Sequence, residues 1–206
     1  MVVHFGTHSK YAIWPESKLF PSAYTDLPMD QAALLVISSF PAEGVRKTRL
    51  EFGECAMVIG LGILGLMAVQ LCRVAGAVPV IVVDPNPERR SLALAIGADY
   101  ALDPTEEGFF DRIRQITDAQ GVQVCVNAAG SAQATTHALP CLGRFGCITL
   151  LGCTRHHGEY DLYHLDSVYL RSSQNSQPNS DASDMNSGKE RGRVFRIACS
   201  DPSPAF

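Results

Sequence analysis

A doubly wound α/β fold built on a parallel sheet is what this sequence predicts, and three observations carry the prediction. Residues Ala56 to Asp84 read as strand, glycine-rich turn, helix and strand, within the roughly thirty residues that a parallel βαβ unit needs. The same alternation then continues to about residue 152. Over 206 residues, an apolar content of 46% is enough for a substantial buried core.

Taken in order, residues 1–42 hold scattered prolines, a short strand candidate and one apolar helix candidate, MDQAALLVIS. They cannot make a domain alone and read as the edge of something larger. The stretch from Cys55 to Cys72 contains one polar side chain, Gln70, and its eighteen residues meet the crude length test for a membrane span. Gly60 and Gly62 interrupt it where the preceding residues favour strand, and Arg73 follows closely, so it divides into a buried strand and a buried helix that closes at Gly76. A β-branched run after Pro79 forms the next strand.

Asn86 is placed to cap a helix that opens on Pro87 and Glu88 and stops at Gly97, with a short strand at Tyr100 to Leu102 behind it. In PTEEGFFDRIRQITDAQG, Thr105 reads as the cap, with acids in the first turn and Phe109, Ile113 and Ile116 at helical spacing. Strands follow at VQVCVNAAG and GCITLLG, separated by a helix from about Ala132 to Leu139. From Ser172 to Arg193 the chain is Ser, Asn, Asp and Gln with almost nothing to bury, which predicts disorder. The expected organisation is an edge segment at 1–42, a nucleotide-binding domain at 43–165 and a disordered tail at 166–206.

The net charge of -4 leaves no cationic excess to neutralise a polyanion, which disfavours nucleic acid and anionic membrane surfaces as partners. The seven cysteines include no C-x-x-C pair and lie mostly in apolar segments, so they read as reduced core residues of a cytoplasmic protein. No secretory signal is visible at the amino terminus.

Gly60, Gly62 and Gly65 spell G-x-G-x-x-G where strand passes to helix. The first glycine permits the tight turn, the second lets backbone approach a pyrophosphate, and the third lets helix pack on strand. The N–H groups of Ile63 and Leu64 are the candidate phosphate donors at the positive end of the helix. Asp84 closes the next strand twenty-four residues after Gly60, where a carboxylate can accept hydrogen bonds from adenosine ribose hydroxyls. The same carboxylate would repel a 2′-phosphate, favouring NAD over NADP, although Arg89 and Arg90 are near enough in sequence to turn toward one. Together these features predict a Rossmann-type dinucleotide site.

With these residues in view, the chain resembles the medium-chain dehydrogenase/reductase superfamily, the zinc-type alcohol and polyol dehydrogenases, from about Val3 to Tyr163. HFGTHSKYAIWP is similar to that family's segment returning from its catalytic domain. The run from LPMDQAALLVISS through AMVIGLGILGLMAVQLCRVAGA resembles its linking helices and first βα unit. VDPNPERRSLALAIGADYALDP, VCVNAAG and GRFGCITLLG resemble its second, fourth and fifth strand regions. The resemblance implies pyrophosphate contacts for Gly60, Gly62, Ile63, Leu64 and Gly65, and a ribose contact for Asp84. It implies an adenosine-end contact for Arg89, an adenine and ribose wall for Ala128, Ala129 and Gly130, and a nicotinamide-side approach for Gly152. In the complete enzyme of such a family, zinc stabilises a substrate alkoxide while hydride passes to the nicotinamide.

The departures from the family pattern are as informative. Its catalytic zinc is held by a Cys, a His and a further Cys, Asp or Glu, mostly from an amino-terminal domain that would precede Met1. Neither that domain's G-H-E type motif nor the four close cysteines of a structural zinc lobe are present. His4 and His8 lie in an extended segment, where their spacing does not converge on one ion. His156 and His157 read as surface residues, and His137 as a partly exposed helix residue. No catalytic residue and no metal ligand is assigned. Loss at both ends and the abrupt polar tail lead us to expect a truncated or frameshifted frame: an incomplete sheet, NAD binding, and no turnover by the chain alone. Two other readings fit the motif less fully. One is a non-catalytic nucleotide-binding or interaction module, pairing as a homo-oligomer through a sheet edge; the other is an S-adenosylmethionine methyltransferase.

Overall fold

The computed structural model describes residues 2–3, 11, 13–21, 27–152 and 169–170. His4, His8, His156, His157 and the predicted disorder of residues 172–193 lie outside them.

The centre of the molecule is strand β3 (Ala56–Ile59), all four of whose residues are buried. It pairs in parallel with β4 (Val80–Val83) on one side and β6 (Val122–Asn127) on the other, Ala56 lying opposite both Val80 and Val124. Strand β5 (Tyr100–Leu102) extends the sheet beyond β4, and β7 (Leu142–Leu150) extends it beyond β6. A two-residue strand, β8 (Tyr169–Leu170), pairs in parallel with Cys147 and Ile148 and completes the order β5-β4-β3-β6-β7-β8. That strand falls inside the segment expected to be tail from residue 166 onward. A separate antiparallel pair joins β1 (Val2–Val3) to β2 (Phe20–Pro21).

Successive side chains of a strand leave opposite faces, and here both faces are covered, which is why the strands read as continuous apolar runs. On one face Met57, Ile59, Ile81, Val83, Cys125 and Ile148 pack with Phe109 and Ile113 of helix α5 (Phe109–Ile116). On the other, Ala56, Val58, Val80, Val82, Val124 and Val126 pack with Ala68, Val69 and Cys72 of helix α3 (Ile63–Val74). Val45 of helix α2 (Ser39–Thr48) and Ala93 of helix α4 (Pro87–Ala95) complete this second layer. The long apolar stretch of the sequence is thus β3 and α3, parted at Gly60. Among the described residues no helix is long and apolar enough to cross a membrane.

Two local expectations are corrected. The apolar segment expected as a helix at 29–38 is a four-residue helix, α1 (Met29–Ala32), followed by turns, and the longer helix of this region is α2. Thr105 does not cap α5: its N–H and hydroxyl both bond to Asp103 Oδ1, at 2.9 and 2.6 Å. The acids of the expected first turn lie in that connection instead, and the helix opens after Gly108, whose φ of 81° re-aims the chain. Helix α6 (Ala132–Ala138) has the predicted extent and runs into a 3₁₀ turn.

Candidate functional site

The candidate site forms along the carboxyl ends of β3, β4, β6 and β7, where open α/β sheets place their ligands. Gly60 takes φ +84°, and its N–H donates to Val83 O at 2.9 Å, tying the turn to β4. A Cβ at Gly60 would lie 2.8 Å from Ala129 N, and one at Gly65 would run into the Gly60 carbonyl oxygen. Gly62 is different. Its backbone is extended, it offers α3 no side-chain cap, and a Cβ built on it meets nothing within 4 Å. The first N–H groups of a helix have no intrahelical acceptor. Those of Ile63, Leu64 and Gly65 therefore open α3 beside free space, and Ile63 itself is half exposed.

Asp84 is only 4% exposed. Its Oδ2 accepts from Leu61 N–H at 2.7 Å and its Oδ1 from Asn86 N–H at 2.8 Å. The acid that ends β4 therefore holds the middle residue of the glycine turn. Each oxygen keeps a further lone pair for a hydroxyl. Arg89 brings its guanidinium to 3.8 Å from Asp84 Oδ2 while staying half exposed. Arg90 turns the other way: its Nη1 donates to Asp84 O at 2.7 Å and to Asp103 Oδ2 at 2.8 Å. Thr105 and Arg90 together hold the Asp103 carboxyl below the ordinary carboxylate range.

The third wall is the segment Ala128 to Gly130 after β6. Ala128 N–H donates to Ile59 O at 2.8 Å, and Ala129 N–H to Asn127 Oδ1 at 3.0 Å. Gly152 comes so close that a Cβ there would strike the Ala129 carbonyl oxygen. Ala129 is thereby enclosed between the glycine turn of β3 and the end of β7. Gly60, Gly62, Gly65, Ala128, Ala129, Gly130 and Gly152 thus converge on one edge, with Asp84 and Arg89 beside them at the end of β4. The residues that hold this edge together, Leu61, Asn127 and Thr135, are fixed positions of no motif in the sequence. A lone polar Asn ending an apolar strand was the available signal for Asn127, whereas a backbone donor such as Leu61 N–H leaves none.

Other candidate groups are occupied elsewhere. His137 packs its ring 6.4 Å from that of Phe109 and 6.3 Å from that of Phe110, in the α5–α6 layer. Cys55, Cys72, Cys125, Cys141 and Cys147 are buried. Burial pushes the Cys55, Cys72 and Cys141 thiols up to about 12, and the Cys125 thiol well above its ordinary value. Among the described residues, no three His, Cys, Asp or Glu side chains come together in a way that could hold a metal ion. These residues do not fit a zinc centre.

Comparison with known proteins gives the edge a context. The family model for zinc-binding dehydrogenases matches residues 64–180. L-threonine 3-dehydrogenase of Pyrococcus furiosus is 32% identical over 155 residues, covering 71% of this chain and 42% of its own length. D-guloside 3-dehydrogenase of Escherichia coli is 32% identical over 173 residues, covering 82% and 43% respectively. Among solved structures, the alcohol dehydrogenase TADH from Thermus sp. ATN1 superposes with a TM-score of 0.65 at 25% identity, over 71% of this chain and 44% of that one. The chain spans about two fifths of the length of the curated relatives it matches.

Proposed function

The chain belongs to the zinc-binding dehydrogenase family, and from that premise and the geometry of the strand ends we propose that it binds NAD as the nucleotide-binding part of an alcohol or polyol oxidoreductase. The observation that carries the reading is the contrast among the three glycines. Two are walled in by backbone, while Gly62 faces open space at the uncapped start of α3. Packing alone asks for the first two; only a close-approaching ligand asks for the third.

In this reading the Ile63 and Leu64 N–H groups donate to the pyrophosphate at the positive end of α3. The remaining lone pairs of Asp84 accept the adenosine ribose hydroxyls, with Arg89 at that end of the ligand. Ala128, Ala129 and Gly130 form the wall, and Gly152 lies toward the nicotinamide. When bound, the dinucleotide supplies a hydride acceptor. The chain's own residues bind and orient it. Preference for NAD follows from the buried acid at Asp84 and from Arg90 being committed to Asp84 O and Asp103, which leaves Arg89 as the cation beside that carboxylate.

What the chain shares with its relatives is this nucleotide-binding fold, so the proposal includes no turnover by the chain alone. A cytoplasmic compartment belongs to the same reading. So does a homo-oligomer through the sheet edge, where among the described residues β8 pairs with Cys147 and Ile148 of β7. Calorimetric titration with NAD and NADP tests the central claim: NAD binding tighter than NADP is expected, and a folded chain that binds neither would sink it. Oxidation of simple alcohols or polyols by the chain with NAD and added zinc would refute the absence of turnover.

A further inference from the structure

Asn127, 2% exposed at the last position of β6, bonds beyond the strand ladder through both its side chain and its backbone carbonyl. Its Oδ1 accepts from Ala129 N–H at 3.0 Å, and its Nδ2 donates to Thr135 Oγ1 of α6 at 2.9 Å. Its backbone carbonyl accepts from Leu151 N–H at 2.8 Å and Gly152 N–H at 3.2 Å. The side-chain orientation follows from the partners, since only the amide oxygen can face an N–H donor. One residue therefore ties together the Ala128–Gly130 segment, the end of β7 and helix α6.

The geometry points to Asn127, braced by Thr135, as the positioning residue of the dinucleotide site. This rests on the NAD reading above and goes beyond it. Ala129 is the segment's contact on both sides: Gly60 abuts its nitrogen and Gly152 its carbonyl oxygen. The bond to Asn127 Oδ1 sets where Ala129 stands, and hence how far apart the glycine turn and the end of β7 are held. The amide does this without charge. A carboxylate at 2% exposure would place a buried negative charge at the same strand ends that receive an anionic ligand, and an aliphatic residue would orphan the Ala129 N–H.

The test combines NAD affinity with amide hydrogen exchange at Ala129, the latter measured without nucleotide. Asn127→Leu is expected to raise the NAD Kd about ten-fold and to speed Ala129 exchange by about the same factor. Thr135→Val removes only the brace and is expected to shift both by about three-fold, with Thr135→Ser restoring both. Leu50→Ala, ahead of β3 and away from the carboxyl ends of the strands, is expected to lower the melting temperature and leave both readouts unchanged. Unchanged Ala129 exchange in Asn127→Leu would overturn the inference. So would unchanged NAD affinity in both loop variants when the wild-type chain binds. If the wild-type chain does not bind NAD, the cofactor reading fails while the exchange data still decide the role of Asn127. Should Asn127→Leu not fold, Thr135→Val and Thr135→Ser carry the same two readouts, and no difference between those two would overturn the inference.

Discussion

A methyl group is the smallest probe of what a glycine is for. At Gly65 it has nowhere to go without moving the Gly60 carbonyl, whereas at Gly62 it enters open space on an extended backbone that any residue can adopt. Gly65→Ala is therefore expected to cost about 1–3 kcal/mol of stability through overpacking. Gly62→Ala is expected to leave stability unchanged or raised by about 0.4–1 kcal/mol, because alanine restricts the unfolded chain. Yet Gly62→Ala should weaken NAD binding about ten-fold, since its methyl stands where the pyrophosphate approaches. Urea melts and titrations on the two variants check this, and a Gly62→Ala chain binding NAD with wild-type affinity would contradict it. These glycines were legible in the sequence because each stands at a backbone position that its spacing identifies. The Leu61–Asp84 bond was not, because a backbone N–H is common to every residue but proline and nothing in the letters says which one an acid will choose.

Helix α4 shows the element scale at its most readable. Asn86 Oδ1 accepts from Glu88 N–H at 2.9 Å and Arg89 N–H at 3.1 Å, with Pro87 at the first helical position. Asn86→Ala is expected to cost about 1 kcal/mol and roughly 2–4 °C of melting temperature, with Asn86→Asp keeping the cap. Scanning calorimetry distinguishes the two, and equal melting temperatures for both would remove the cap from the account. The start of helix α5 differs from the sequence expectation because Asp103, two residues before Thr105, accepts both the Thr105 N–H and its hydroxyl and closes a local turn there, so the helix begins only after Gly108. Helix α2 was obscured by Pro41 and Gly44 within it. A Cβ at Gly44 would meet the Leu151 side chain at 2.6 Å, so that side chain would have to turn aside. In β7 the pairing with β6 shifts register between Val122 and Val124, and Phe145 sits at φ +65°, a conformation that no residue preference in that stretch announces.

Across residues 27–152, sheet, helices and candidate site form one connected body, with the turn of β3 held by β4, the β6 loop held by β3, and β7 held by β6. A ligand seated on all of these ends should stabilise the fold by linkage. At a hundred-fold excess over its Kd, NAD is expected to add about 2.7 kcal/mol and raise the melting temperature by roughly 5–10 °C, with NADP adding less. A calorimetric scan at rising NAD concentration checks this, and a melting temperature indifferent to NAD in a chain that binds it would place the site outside the cooperative unit. The alternation of strand and helix made this architecture legible at a distance. The closeness of its loops depends on contacts between residues far apart in the chain, which local pattern does not record.

The cysteines follow from the same architecture. Cys72 and Cys125 expose no surface, and their thiols resist ionisation. A thiol dye, which attacks the thiolate, has to wait until the core parts. The colour that develops at these two positions is then a stopwatch for spontaneous opening, read without denaturant, and any molecule that clasps the strand ends together will make it run slow.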